Sequence, residues 1–93
     1  MNLKEEIDAL KGRWMTTMNL VAMSGKQEEL ELMSKEADVV AMVSAADTYL
    51  QLAIITKEDT WMYNYLQSAA AIYRKKCEEI LEEIRLEIER LSK

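Results

Sequence analysis

VVAMVSAADTYLQLAII, from Val39 to Ile55, carries one charge, Asp47, between densely charged flanks. A helix over this stretch is apolar around most of its circumference. It must therefore be covered on several sides, by the rest of the chain, by a second copy or by a partner. Ser44, Asp47, Thr48 and Gln51 draw a narrow polar strip along it. With that strip and fewer than about 20 residues, the stretch reads as too short and too polar to span a bilayer.

Outward from there, the composition favours helix. The chain has 93 residues, two Gly and no Pro, so turn and strand punctuation is nearly absent. Ala, Leu, Met, Glu and Lys dominate, and all are good helix formers. The expected fold is all-α and a single domain over residues 1–93. It is an antiparallel three-helix bundle with helices at about 2–24, 26–55 and 57–91. A small chain that is 49% apolar is also expected to oligomerise.

Upstream, Leu3, Ile7, Leu10, Trp14, Thr17 and Val21 recur three and four residues apart, a heptad-like seam. Gly25 supplies the left-handed position that ends such a helix. Ser24 and Gln27 have the spacing of a capping box and are expected to start the second helix. In its first half Leu30, Met33, Ala37 and Val40 share a face, taken as the buried one. The polar strip falls in line with that face, so the buried side is expected to rotate partway along. Downstream, Thr56 is the expected N-cap of the third helix, with Glu58 and Asp59 in its first turn. One unbroken helix from residue 26 to 92 is the alternative. Met62, Leu66, Ala69, Tyr73, Cys77, Ile80, Ile84, Ile88 and Leu91 form the stripe of the third helix.

At 1.5 Å per residue the three helices are roughly 34, 45 and 53 Å long. The first reaches only to about Tyr49 of the second. The uncovered end points to an interface at Leu50, Ile54, Trp61, Met62 and Tyr65.

Several chemistries are disfavoured. The net charge of −5 repels nucleic acid. The basic run Arg74-Lys75-Lys76 is answered four residues on by Glu78 and Glu79 and reads as a solvated face. The single Cys77 lies in an apolar stripe, and no His exists to activate it, so it reads as an inert buried thiol. Glu78-Glu79-Ile80-Leu81-Glu82 matches one magnesium-binding element of all-α nucleotide pyrophosphohydrolases. Its companion, matched by Glu5-Glu6-Ile7-Asp8, stands on the wrong side of it in chain order. No Gly-rich phosphate loop is present. The N-terminal residues lack the pattern of a signal peptide, and a cytoplasmic protein is expected.

The function expected from the sequence is a small non-enzymatic protein–protein interaction module. It would be an adaptor, chaperone or inhibitor of the kind phages and mobile elements encode, acting as a homo-oligomer without cofactor. Its partners would be itself and another protein, with no nucleic acid and no membrane. The alternative is a ligand-sequestering helical oligomer. Its small-molecule or nucleotide pocket would lie at a subunit interface, near Asp47, Tyr49, Gln51 and Lys57.

Overall fold

The computed structural model describes residues 2–93, which form three helices: α1 (Leu3–Ser24), α2 (Leu30–Ile55) and α3 (Thr60–Leu91). The described residues contain no strand. The bundle is elongated, 52 × 22 × 15 Å.

Local chemistry sets the helix ends. Asn2 caps α1: its side chain accepts from the Glu5 backbone N–H at 2.9 Å, and the Glu5 carboxylate accepts from the Asn2 N–H at 3.4 Å. Gly25, with φ of 72°, closes α1 in the left-handed conformation that glycine adopts without steric cost. The expected capping box at Ser24 and Gln27 does not form. Ser24 is the last residue of α1; its hydroxyl donates back to the Val21 carbonyl and accepts from the Lys26 N–H. α2 therefore begins at Leu30 rather than Lys26, behind Glu29, which makes no side-chain cap.

The turn between α2 and α3 is real, and the unbroken helix is excluded. Its capping differs from the expectation. Thr56 is the C-cap of α2, its N–H and hydroxyl both donating to the Leu52 carbonyl. Asp59 takes the N-cap role for α3, accepting from the Met62 N–H at 3.0 Å. A carboxylate is the stronger acceptor and complements the helix dipole, which moves the start of α3 from 57 to 60.

All three helices contribute to the main core: Leu10 and Val21 of α1, Leu32, Val39 and Val43 of α2, and Cys77, Leu81 and Ile84 of α3. A smaller cluster joins Ile7, Ala46 and Leu50, with Leu3 and Tyr73 against it. On α3 the fully buried line runs through Leu66, Ala70, Cys77, Leu81 and Ile84. Ala70 and Leu81 thus take the central places the sequence assigned to Ala69 and Ile80. Ion pairs join the helices along their rims: Lys11–Asp47 (3.0 Å), Glu6–Arg74 (3.6 Å), Lys35–Glu83 (3.2 Å) and Glu31–Arg90 (3.5 Å). Such half-exposed pairs set register more than stability.

The buried face of α2 does not rotate. Leu32, Val39, Val43, Ala46, Leu50 and Ala53 are buried at spacings of seven, four, three, four and three, one continuous face. Met33, Ala37 and Val40, expected inside, point outward and are exposed. They lie in line with Ser44, Thr48 and Gln51, as the sequence indicates, but the whole line is the solvent side.

Two carboxylates on α3 carry a pH dependence. Hydrogen bonding from Arg90 holds Glu87 at about 2, below the usual 4.5, and Arg85 likewise lowers Glu82. A carboxyl whose folded pKa is depressed contributes stability above its unfolded pKa and loses it as pH falls through the folded one. Thermal melts followed by circular dichroism are expected to be flat from pH 7 to about 5 and to weaken from about 4.5 down to 2. Glu87→Gln should flatten part of that slope.

Candidate functional site

Around the α2–α3 turn, α1 no longer reaches the other two helices. Leu3, near its start, packs against the cluster of Ile7, Ala46 and Leu50, as Tyr73 of α3 does. Past that point large apolar side chains stand in solvent. Ile55 is 75% exposed, Trp61 70% and Tyr65 54%, with Ile54 and Ile72 about half-exposed. Trp61 stacks on Tyr65 with ring centroids 5.6 Å apart, as their four-residue spacing on α3 allows. Of the five residues expected at an interface, Ile54, Trp61 and Tyr65 present area. Met62 is half-buried. Leu50 is only 6% exposed and packs into this chain's own core.

One turn further along α3 an aromatic groove of about 260 Å³ lies between α2 and α3. It is lined by Tyr49, Tyr65, Ser68, Ile72, Tyr73 and Lys76, among others. Tyr49 stacks on Tyr73 with centroids 5.5 Å apart, and the Lys76 ammonium lies 5.9 Å from the Tyr73 ring centre. That distance is the range of a cation–π contact. The structure thus brings Tyr49 and Tyr65 together, with Trp61 stacked on Tyr65 at the edge. It does not bring Asp47, Gln51 or Lys57 to them. Asp47 pairs with Lys11 of α1, Gln51 stands exposed on the outer side of α2, and Lys57 is exposed in the turn. Tyr73 and Lys76 were missed as groove residues. The first sits in the apolar stripe and the second in a basic run with acids downstream, and both patterns describe ordinary helix faces.

A second groove, about 470 Å³, lies between α1 and α3 and is lined by Gly12, Arg13, Thr16, Leu81, Glu82 and Arg85. Its cations already have partners, Arg85 with Glu82 at 2.6 Å and Arg13 with Glu78 at 3.6 Å. A Cβ on Gly12 would meet nothing within 4 Å, so no neighbouring backbone within the chain requires this glycine. The Trp14 indole N–H is buried without an acceptor among the described residues.

Cys77 is fully buried, and desolvation, with Glu78 adding to it, pushes its thiol up to about 11 against the pull of Arg13. At neutral pH it is a protonated thiol and not a nucleophile. Among the described residues no three His, Cys, Asp or Glu side chains converge to hold a metal ion.

The outer side of α2 is the other unusual surface. From Leu30 to Ile55 its exposed line runs through Met33, Ala37, Val40, Ser44, Thr48 and Gln51 without a single charge. By length and composition α2 is long enough and apolar enough to cross a membrane, with a mean hydropathy of 1.4 over an 18-residue stretch of which 28% is buried. The helix that forms is longer than the Val39–Ile55 stretch judged too short from sequence. No known family model, curated protein or solved structure matches this chain.

Proposed function

We propose that this chain is a small, non-enzymatic interaction module: an antiparallel three-helix bundle that self-associates and docks another protein at the end around the α2–α3 turn. The observation that carries this reading is the exposed Trp61–Tyr65 stack beside Ile54 and Ile55, at an end that α1 leaves uncovered. Rigid aromatics with low side-chain entropy are the usual anchors of protein interfaces. The antiparallel arrangement is supported by the rim pairs, in which Glu31 and Lys35 near the start of α2 meet Arg90 and Glu83 towards the end of α3. Self-association is supported by area. The chain exposes 6148 Å², against about 5,500 Å² expected for a compact monomer of its mass.

On this reading the protein is cytoplasmic and adaptor-, chaperone- or inhibitor-like, and it needs no cofactor, nucleic acid or membrane. Its acidic surface favours a partner with a basic rim. Trp61→Ala is expected to keep the helix content, because the side chain packs little of the core, and to remove partner binding. A photo-crosslinker placed at residue 61 should capture one discrete protein species in cells, competed by purified wild type and not by Trp61→Ala. Diffuse capture, or equal competition by the variant, sinks the docking role.

The second reading, a ligand-sequestering oligomer, is favoured by one observation, the groove of Tyr49, Tyr65 and Tyr73 with Lys76 over an aromatic face. Calorimetry against a nucleotide and metabolite panel separates the two, and flat traces throughout discard this second reading.

A further inference from the structure

We infer that the aromatic groove between α2 and α3 binds a small aryl carboxylate, its ring held among Tyr49, Tyr65, Ile72 and Tyr73 and its carboxylate turned to Lys76. The inference rests on the ligand-sequestering reading above for the groove being a small-molecule site, and it names the class of ligand. It needs no subunit interface, because every lining residue comes from one chain.

The charge of the groove is opposite to that of the chain. Over the whole chain 17 acids stand against 12 bases. None of the described residues lining the groove is acidic, and Lys76 is the charged one among them. From sequence the run Arg74-Lys75-Lys76 reads as balanced by Glu78 and Glu79. The structure balances Arg74, which pairs with Glu78 at 3.2 Å and with Glu6 of α1 at 3.6 Å. Among the described residues neither Lys75 nor Lys76 forms an ion pair. The groove between α1 and α3 differs in this respect, since Arg13 and Arg85 line it and both are paired with glutamates. An unpaired cation at the end of an apolar groove that has no acid of its own is the complement of an anion.

The rest of the lining selects a flat ring. Tyr49 and Tyr73 are stacked within 8° of parallel, with centroids 5.5 Å apart, and form a fixed aromatic wall. A ligand ring packs on such a wall by offset stacking or edge to face. Volume bounds its size. The groove, at about 260 Å³, is larger than the roughly 150 Å³ that holds one benzene ring and smaller than the roughly 300–1,000 Å³ of sites for drug-sized ligands. One ring with a short arm fits, and a nucleoside phosphate does not. The Lys76 ammonium lies 5.9 Å from the Tyr73 ring centre, so a carboxylate on a short arm reaches it from a ring packed against Tyr73 or Ile72.

The test is an NMR titration of the isotope-labelled full chain at neutral pH, following backbone amides. Hydrocinnamate, one ring with a carboxylate on a short arm, is expected to shift the amides from Tyr65 to Lys76 saturably with a Kd of about 1 mM. Lys76→Gln is expected to weaken it about three- to fivefold, the worth of a solvent-exposed ion pair. Lys75→Gln, off the groove, is expected to leave it unchanged. Both lysines are exposed, and unchanged spectra elsewhere in the chain check that the variants keep the fold. Hexanoate, with the charge and no ring, is expected to bind about three- to tenfold more weakly than hydrocinnamate. Hydrocinnamamide, with the ring and no charge, is expected to bind wild type as weakly as hydrocinnamate binds Lys76→Gln. Equal binding of hexanoate or hydrocinnamamide, or equal losses in the two lysine variants, overturns the aryl-carboxylate class and leaves the small-molecule reading standing. So does adenosine monophosphate binding in the groove where hydrocinnamate does not. Binding of the capped dipeptide acetyl-phenylalanyl-glutamyl amide without binding of hydrocinnamate assigns the groove to a docked protein and overturns the proposal. No shift with any probe overturns the proposal and the sequestering reading together.

Discussion

Val39→Asp is expected to unfold the chain at neutral pH, whereas Val40→Asp, one residue further on, is expected to leave its helix content intact. Val39 is fully buried in the core shared by the three helices, and Val40 is 47% exposed on the outer side of α2. Removing the buried valine forfeits roughly 2 kcal/mol of transfer free energy. The carboxylate that replaces it has no cation to pair with in an apolar cluster, which costs several kcal/mol more. A chain of 93 residues holds only about 5–14 kcal/mol in total. The sum of the two losses approaches or exceeds that. At Val40 the new carboxylate stays in water, and the change in folding free energy should fall within about 0.5 kcal/mol in dilute solution. Urea titration followed by circular dichroism at 222 nm (roughly the helix minimum) reads both variants. Equal destabilisation of the two would mean that the buried face of α2 is assigned wrongly.

Ile84→Ala should be the most costly simple truncation on α3. Ile84 is fully buried and shares a cluster with Leu32, Cys77 and Leu81, where α2 and α3 pack together. Close-packed surroundings relax only partly into the space left behind, so the loss of transfer energy and the cavity add to about 2–5 kcal/mol. With a urea slope of about 1.5 kcal/mol per molar for a chain this small, the midpoint should fall by roughly 1.5–3 M. Leu86→Ala, two residues on and half-exposed, should move the midpoint by less than about 0.4 M. The comparison must be made at one protein concentration, because any self-association adds to the apparent stability. A large effect at Leu86 would show that a partner surface covers it.

Much of the architecture was legible before any coordinates. The heptad-like seam of α1 puts Ile7, Leu10, Thr17 and Val21 inside, and all four are buried. Gly25 and the polar cluster after Ile55 mark the two turns. The helix starts were less legible, because Ser24, Thr56 and Asp59 are all good caps, and the choice among them depends on hydrogen bonds only one of several chain paths can make. The exposed aromatic end was legible as a consequence of length, since α1 is shorter than the pair it packs on. Its membership was not. Length alone put both Leu50 and Trp61 at the uncovered end, but Leu50 shares a buried cluster with Ile7 of α1.

The sequence by itself determined that this chain is helical, that a first break falls near Gly25, and that α2 has too little polar surface to stand alone; the break near Thr56 stayed open against one continuous helix until the structure placed a turn there. It could not determine which side of α2 faces inward. Ser44, Thr48 and Gln51 mark the solvent side in its second half, but upstream the same line carries Met33, Ala37 and Val40, which by themselves read as a buried face. The tertiary structure decided it. The strongly amphipathic α3, with Cys77, Leu81 and Ile84 fixed towards the core, takes Leu32, Val39 and Val43 as its partners. Packing against neighbours of defined polarity therefore orients α2, and the uncharged face is left pointing outward.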